Sequence, residues 1–277
     1  MEVWVGTSGY SYPDWVGDFY PPGTSPGRML RHYSREFPLV ELNFTFYRPP
    51  TPEMLSRLAD QAAPGFQFWV KLPRSLSHDE KTDDLDSFRE AVETLRRRGQ
   101  LLGVLCQLPQ ATHREQKHVS WLDRLAYEMS PYGLAVEFRH HSWSDPEVPR
   151  WLAERKVDLV SVDAPDLPGL YPSGPVHSCS TMYVRFHSRN GRNWYQSDKQ
   201  RYDYSFSNAE LGLWIEHLRR ESPVIDKAFL LFNNCHRANA PLNARRMKEL
   251  LARTAPELVL TSPAPSVPEP TQQLMFE

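Results

Sequence analysis

Short apolar runs, β-branched or aromatic and bounded by turn residues, recur at near-regular intervals along the first 258 residues. They predict strands over Glu2–Gly6, Leu39–Asn43, Phe66–Lys71, Leu101–Gln107, Gly133–Arg139, Asp158–Asp163, Met182–His187 and Ala228–Asn233. Between them, apolar residues spaced three and four apart predict helices over Arg28–Glu36, Pro52–Ala62, Leu85–Arg98, Gln116–Glu128, Glu147–Arg155, Ser207–Glu221 and Ala240–Arg253. Thr51-Pro52 followed by Glu53, and Ser207 three residues before Glu210, are helix-start signals. The gap Ala164–Ser180 carries four prolines and two glycines and reads as loop.

Strands alternating with helices argue for parallel βαβ units. With eight such strands, the economical closed form is a single-domain (β/α)₈ barrel over residues 1–258. An open doubly wound sheet of two lobes is the alternative. Residues 259–277 differ: Pro263, Pro265, Pro268 and Pro270 mark an extended, mobile linker.

The chain of 277 residues holds 32 Lys+Arg against 34 Asp+Glu, a net charge of −2. That excludes a wholly basic nucleic-acid coat, though not a local basic patch. Mean hydropathy is −0.57, no apolar run is long enough for a membrane helix, and the N-terminus lacks a signal peptide's pattern. Cys106, Cys179 and Cys235 are sparse and odd in number, which predicts reduced thiols and a cytoplasmic location.

In a barrel of this kind chemistry collects at the C-terminal strand ends, and here those ends are polar. Glu41, Lys71, Gln107, Glu137, Arg139, Asp163, Arg185, His187 and Asn233 lie inside or at the edge of apolar runs. Burying such charges demands partners. One outcome is a self-neutralising ion-pair network capping the barrel; the other is a pocket for an anionic or polar ligand. In the second case Glu41, Glu137, Asp163 and His187 are candidate catalytic groups, with Glu137 or Glu41 as general base and His187 shuttling a proton. Lys71, Arg139 and Arg185 would hold the anion.

The same carboxylates and His187 are the donor types divalent ions use. No HExxH, CxxC or HxH spacing is present, and the nearby cations compete with a metal, so a divalent cofactor is possible but not favoured. No Walker A loop, GxGxxG or GxSxG elbow occurs.

Two loops are rich in rings. Tyr10–Tyr20 holds Tyr10 and Trp15, which suit covering the barrel mouth or lining a groove. The stretch after the seventh strand interleaves Arg189, Arg192, Lys199 and Arg201 with Trp194, Tyr195, Tyr202 and Tyr204. Basic and aromatic side chains in alternation suit phosphates and stacked bases; equally, they suit a structured lid with its rings packed beneath. Arg189 and Trp194 are the candidate ligand contacts.

Several motifs in order resemble the YecE-like family, also called domain of unknown function 72: VGTSGYSYPDWVGDFYPPG, VELNFTFYRPP, FWVKLPRSLSH, LCQLP, AVEFRHHSW, VSVD, YVRFHSRN with RYDYSF, and FNNCHRANAPLNA. The resemblance reaches to about residue 254 and implies a TIM barrel without an established activity. It implies recurring polar positions at Glu41, Lys71, His78, Gln107, Glu137, Arg139, Asp163, Arg185, His187 and Asn233. Ser188 and Ser77 depart from the family's usual glycine and threonine, which touches only local loop geometry. Endonuclease IV-type barrels bind DNA at this face, an analogy of fold alone.

The ending Gln272-Gln273-Leu274-Met275-Phe276 resembles the bacterial sliding-clamp-binding peptide. A tether offers one glutamine for hydrogen bonds, and Leu274, Met275 and Phe276 for an apolar cleft. The alternative is that this end tucks onto the barrel. Taken together, the sequence predicts a barrel that binds a phosphate-bearing or nucleic-acid ligand, with a DNA-repair hydrolase or nuclease as one form. A non-catalytic module tethered to the clamp, or a sugar-phosphate isomerase or hydrolase, are the alternatives.

Overall fold

The computed structural model describes residues 1–264, without the side chains of Asp198 and Lys199. The clamp-like peptide, Gln272, Leu274, Met275 and Phe276 included, lies outside the described residues. Eight parallel strands form the ring: β1 (Glu2–Ser8), β2 (Leu39–Leu42), β3 (Gln67–Lys71), β4 (Leu101–Gln107), β5 (Leu134–Glu137), β6 (Val157–Asp163), β7 (Thr181–Phe186) and β8 (Lys227–Phe232). Each pairs with the next, and β8 pairs with β1 from Glu2↔Lys227 to Thr7↔Phe232, so the sheet closes.

The helices are α1 (Pro26–Glu36), α2 (Pro52–Gln61), the single turn α3 (Arg74–Ser77), α4 (Leu85–Arg97), α5 (Gln116–Met129), α6 (Glu147–Glu154), the single turn α7 (Asp198–Arg201), α8 (Asn208–Glu221) and α9 (Asn239–Thr254). They follow every strand except β6, whose exit to β7 is coil as its prolines and glycines predict. The chain is thus a (β/α)₈ barrel, and the open-sheet alternative falls because β1 and β8 are neighbours. Thr51 caps α2 by accepting from the Met54 amide at 3.3 Å. Ser207 and Glu210 form the expected capping box on α8. Each long helix turns its apolar stripe inward; on α4 it is Leu85, Phe88, Ala91, Val92 and Leu95.

Alternation along the strands sorts side chains into two compartments. Leu39, Trp69, Leu105, Ala135, Val160, Tyr183, Phe229 and Leu231 fill the barrel interior. Trp69 packs on Tyr183 (ring centroids 4.6 Å apart) and on Phe229 (5.5 Å). Gly103 makes room for this layer: a Cβ there would fall 2.4 Å from the Trp69 ring.

The β1–β2 seam is the least regular part of the ring. The two strands pair only at Thr7↔Val40 and Ser8↔Glu41. Below that point the Tyr33 hydroxyl bridges them, accepting from the Thr7 amide at 2.8 Å and donating to the Leu39 carbonyl at 3.1 Å. Gly6 permits the approach, since a Cβ would sit 2.6 Å from the Leu39 carbonyl oxygen. Lower still, β9 (Val259–Leu260) adds to β1 in parallel, through Glu2↔Val259 and Val3↔Leu260. The first residues of the expected tail are therefore part of the sheet.

Candidate functional site

The inward register that carries the apolar layer brings Glu41, Lys71, Gln107, Glu137 and Arg185 to the C-terminal end of the barrel, with Arg139, His187 and Asn233 just beyond. Arg185 is 1% exposed and sits between two fully buried carboxylates. Its Nε and Nη2 donate to Glu41 Oε2 and Oε1 at 2.9 and 2.6 Å, and its Nη1 donates to Glu137 Oε2. The Tyr183 hydroxyl also donates to Glu41. Glu137 Oε1 accepts from Arg139 Nε and lies 3.2 Å from His187 Nε2.

A chain of amides fixes the imidazole. Asn43 Nδ2 donates to Asn233 Oδ1 at 3.3 Å, and Asn233 Nδ2 lies 3.0 Å from His187 Nδ1. With Nδ1 accepting, the proton resides on Nε2 and is donated to Glu137, which makes the ring neutral. Burial, reinforced by Arg139, pushes the His187 pKa down to about 3 despite the pull of Glu137. Burial pushes the Glu137 carboxyl up, but Arg139 and Arg185 outweigh it and hold it well below the usual carboxylate range. Two carboxylates against two guanidiniums make a balanced buried layer.

This layer lies beneath a pocket of about 410 Å³, which Arg139 alone of its four members lines. Its walls include Lys71, Arg74, His78 and Gln107 on one side and Arg139, Trp194, Tyr195, Arg201 and Tyr202 on the other. Among the described side chains no carboxylate lines it. Lys71 Nζ donates to Gln107 Oε1 at 2.8 Å and stands 4.5 Å above the Phe46 ring. Burial, with Arg185 adding to it, pushes the Lys71 pKa down to about 7 against Glu41 and Glu137. Burial, with Lys71 adding to it, pushes His78 down to about 4. Arg201 packs over Trp194, its Cζ 5.2 Å from the ring centroid. A second hollow of about 450 Å³, lined by Tyr10, Tyr12, Asn43, Phe44 and others, adjoins it across the exposed Tyr47.

Several expectations need correction. Asp163 is not at the mouth. On β6 it is Val160 that fills the interior, so Asp163 falls on the helix-facing side. There its carboxylate receives Arg189 Nε and Nη2 at 2.8 and 2.7 Å and the Trp214 indole of α8 at 2.6 Å. Arg189 is thereby committed to a structural pair and does not line the main pocket. Trp15 is fully buried, its indole donating to the Cys235 carbonyl at 2.7 Å. It meets Phe19 edge to face and stacks with Tyr20 in the core, and offers a ligand nothing.

Glu41, expected as a general base, has both carboxylate oxygens taken by Arg185 and Tyr183, beneath the pocket floor. Of the outcomes posed for the polar strand ends, the ion-pair network is present, and a pocket with basic side chains in its wall lies above it. The long loop after β7 has rings packed beneath it, as a structured lid requires. Trp194 is packed beneath it at 2% exposure and still lines the pocket, while Tyr195 is 60% exposed.

Phe46, Tyr47, Arg74 and Tyr183 escaped the sequence reading. They come from loops or strand interiors where no pattern separates a site residue from a packing one. Among the described residues no three His, Cys, Asp or Glu side chains are grouped to hold a metal ion. No helix of the described residues is long and apolar enough to cross a membrane.

The fold and pocket define a TIM-barrel protein with a basic, ring-lined cleft at the C-terminal face of its strands. Residues 4–270 match the family described as Protein of unknown function DUF72, and the chain belongs to that family. UPF0759 protein YunF of Bacillus subtilis (strain 168) is 29% identical over 270 residues, 90% of this chain and 94% of its own. UPF0759 protein YecE of Escherichia coli (strain K12) is 29% identical over 187 residues, 64% of this chain and 61% of that protein. The crystal structure of a DUF72 family protein from Thermotoga maritima is 36% identical with a TM-score of 0.84, covering 91% of this chain and 100% of that one.

Proposed function

We propose that the barrel mouth binds a phosphate-bearing ligand, with the anion among Arg74, Arg139 and Arg201, Lys71 close by, and a ring of the ligand against Trp194, Tyr195 or Tyr202. The observation that supports this best is the lining itself: among the described side chains, four cations and no carboxylate surround one pocket. The carboxylates that would repel an anion are withdrawn beneath the floor and neutralised there. A volume of about 410 Å³ suits one sugar-phosphate or nucleotide-sized group. Cations converging on a cleft walled by low-dielectric protein focus an attractive field there, with Arg139 shared with Glu137 and Arg74 with Asp79.

A second form of this reading is a single-stranded nucleic acid. It is favoured by the adjoining hollow and by Tyr47 and Tyr195, which are 82% and 60% exposed along the path between and beside the two pockets. Exposed rings next to cations suit stacked bases and a tracked backbone.

Acid–base hydrolysis through Glu41 draws no support from this geometry. The experiment is titration of the full chain with inorganic phosphate, a nucleoside monophosphate and a short oligonucleotide, read by tryptophan fluorescence. Saturable, salt-weakened binding that falls about tenfold in Arg74→Ala or Arg201→Ala supports the reading. Absence of binding at low salt, or binding indifferent to both substitutions, refutes it.

A further inference from the structure

Within the pocket, Arg139 is neutralised by Glu137, and Arg74 has Asp79 at 3.5 Å. Lys71 differs. Its Nζ meets an amide oxygen and a ring face, and no carboxylate of the described residues lies within ion-pair reach. The residue is 8% exposed, at the end of β3, and lines the cavity together with Gln107 and Phe46, the two groups its amine meets. Adding its charge to the balanced layer below leaves a surplus positive charge that burial resists. An arginine would answer that resistance poorly, because guanidinium stays protonated; a lysine answers by giving up its proton.

We propose that Lys71 is an amine nucleophile that condenses with the aldehyde or ketone carbonyl of a phosphate-bearing sugar held in this pocket, forming an imine. The inference rests on the anion-binding reading above, because the arginines must first seat the phosphate. Lowering toward about 7 makes a large share of the amine neutral and nucleophilic at physiological pH. In the reaction the C–N bond forms and the carbonyl C–O bond breaks. The oxygen departs as water carrying both amine hydrogens, and no electrons are gained or lost. His78 lines the same pocket and is neutral at pH 7, with its pKa pushed down to about 4. It can accept the proton the attacking nitrogen sheds and pass it on.

The test uses the full chain at neutral pH with glyceraldehyde 3-phosphate, dihydroxyacetone phosphate or 2-deoxyribose 5-phosphate. Sodium borohydride traps the imine as a stable secondary amine, and intact mass and peptide mapping locate it. The expected result is one adduct, on Lys71, formed about a hundredfold faster than on surface lysines, whose amines are almost wholly protonated. The adduct is absent in Lys71→Arg, and unphosphorylated glyceraldehyde labels about tenfold more slowly. No adduct, labelling spread over many lysines, or undiminished labelling in Lys71→Arg overturns the proposal. If Lys71→Arg does not fold, the peptide map of the unaltered chain decides. Phosphate binding without trapping removes the imine alone; absence of both removes the anion-binding reading as well.

Discussion

Replacing Arg185 by methionine tests how the site is built. The guanidinium is 1% exposed and is shared by Glu41 and Glu137, both fully buried. Removing one partner of a buried ion pair costs about 3–5 kcal/mol, because the remaining charge is left without compensation. The two carboxylates do not suffer equally. Glu137 keeps Arg139 and His187, whereas Glu41 keeps only the Tyr183 hydroxyl among its described partners. The loss therefore falls at the lower end, about 3 kcal/mol, which lowers the melting temperature by roughly 6–12 °C.

One further measurement follows from that assignment. Neutralising the carboxylate, in Glu41→Gln with Arg185→Met, recovers about half the loss or more, since the Tyr183 bond is kept. Urea unfolding followed by tryptophan fluorescence reads both variants. A single-variant loss under about 1 kcal/mol, or a double variant no better than the single, refutes the idea that Arg185 holds the buried layer together.

Three other outcomes are expected. Sulfate, which does not titrate near neutrality, binds with an affinity that is level below pH 7 and falls by up to about tenfold per unit above it. The sign follows from Lys71, whose pKa near 7 in the free protein means that binding above that pH must first bring a proton back; calorimetry showing a flat profile from pH 6.5 to 9 contradicts this. Asp163→Asn costs about 2–3 kcal/mol through its bonds to Arg189 and Trp214, yet leaves sulfate affinity unchanged; weakened binding in a folded variant would return Asp163 to the site. From the sequence motif, deleting residues 272–277 abolishes capture by an immobilised bacterial sliding clamp while leaving sulfate binding intact, and capture that survives the deletion ends the clamp proposal.

Much of this architecture was legible because a barrel writes itself twice into a sequence, as strand–helix alternation and as polar residues closing apolar runs. Reading polar residues at the close of apolar runs put Glu41, Glu137, Arg185 and His187 at the strand ends, and they do meet. The same reading failed at Asp163 because β6 carries a valine face and a Ser161–Asp163 face, and a strand end alone does not say which of them points inward. Only the registers with β5 and β7 decide between them. Trp15 misled for another reason. A ring in a loop looks available, and nothing local announces that Cys235, 220 positions away, accepts its indole hydrogen. Tyr183 was hidden by its own strand, where a phenol reads as one more β-former until the facing Glu41 is known. Composition spoke correctly of a balanced total charge while remaining silent on how the charges are layered, acids under bases.

The splice between β1 and β2 bears on how the molecule is made. Residues 2–3 and 259–260 pair with each other, so a nascent chain must be almost wholly synthesised before its first strand finds all its neighbours. Contacts that join the two ends of a polypeptide form late, since the longest loop must be closed to reach them. The seam that β9 enters, between β1 and β2, is also where a side-chain hydroxyl stands in for ladder bonds. Deuterium should enter this stitch first, and a protein caught half-made on the ribosome should expose it as an open sheet edge.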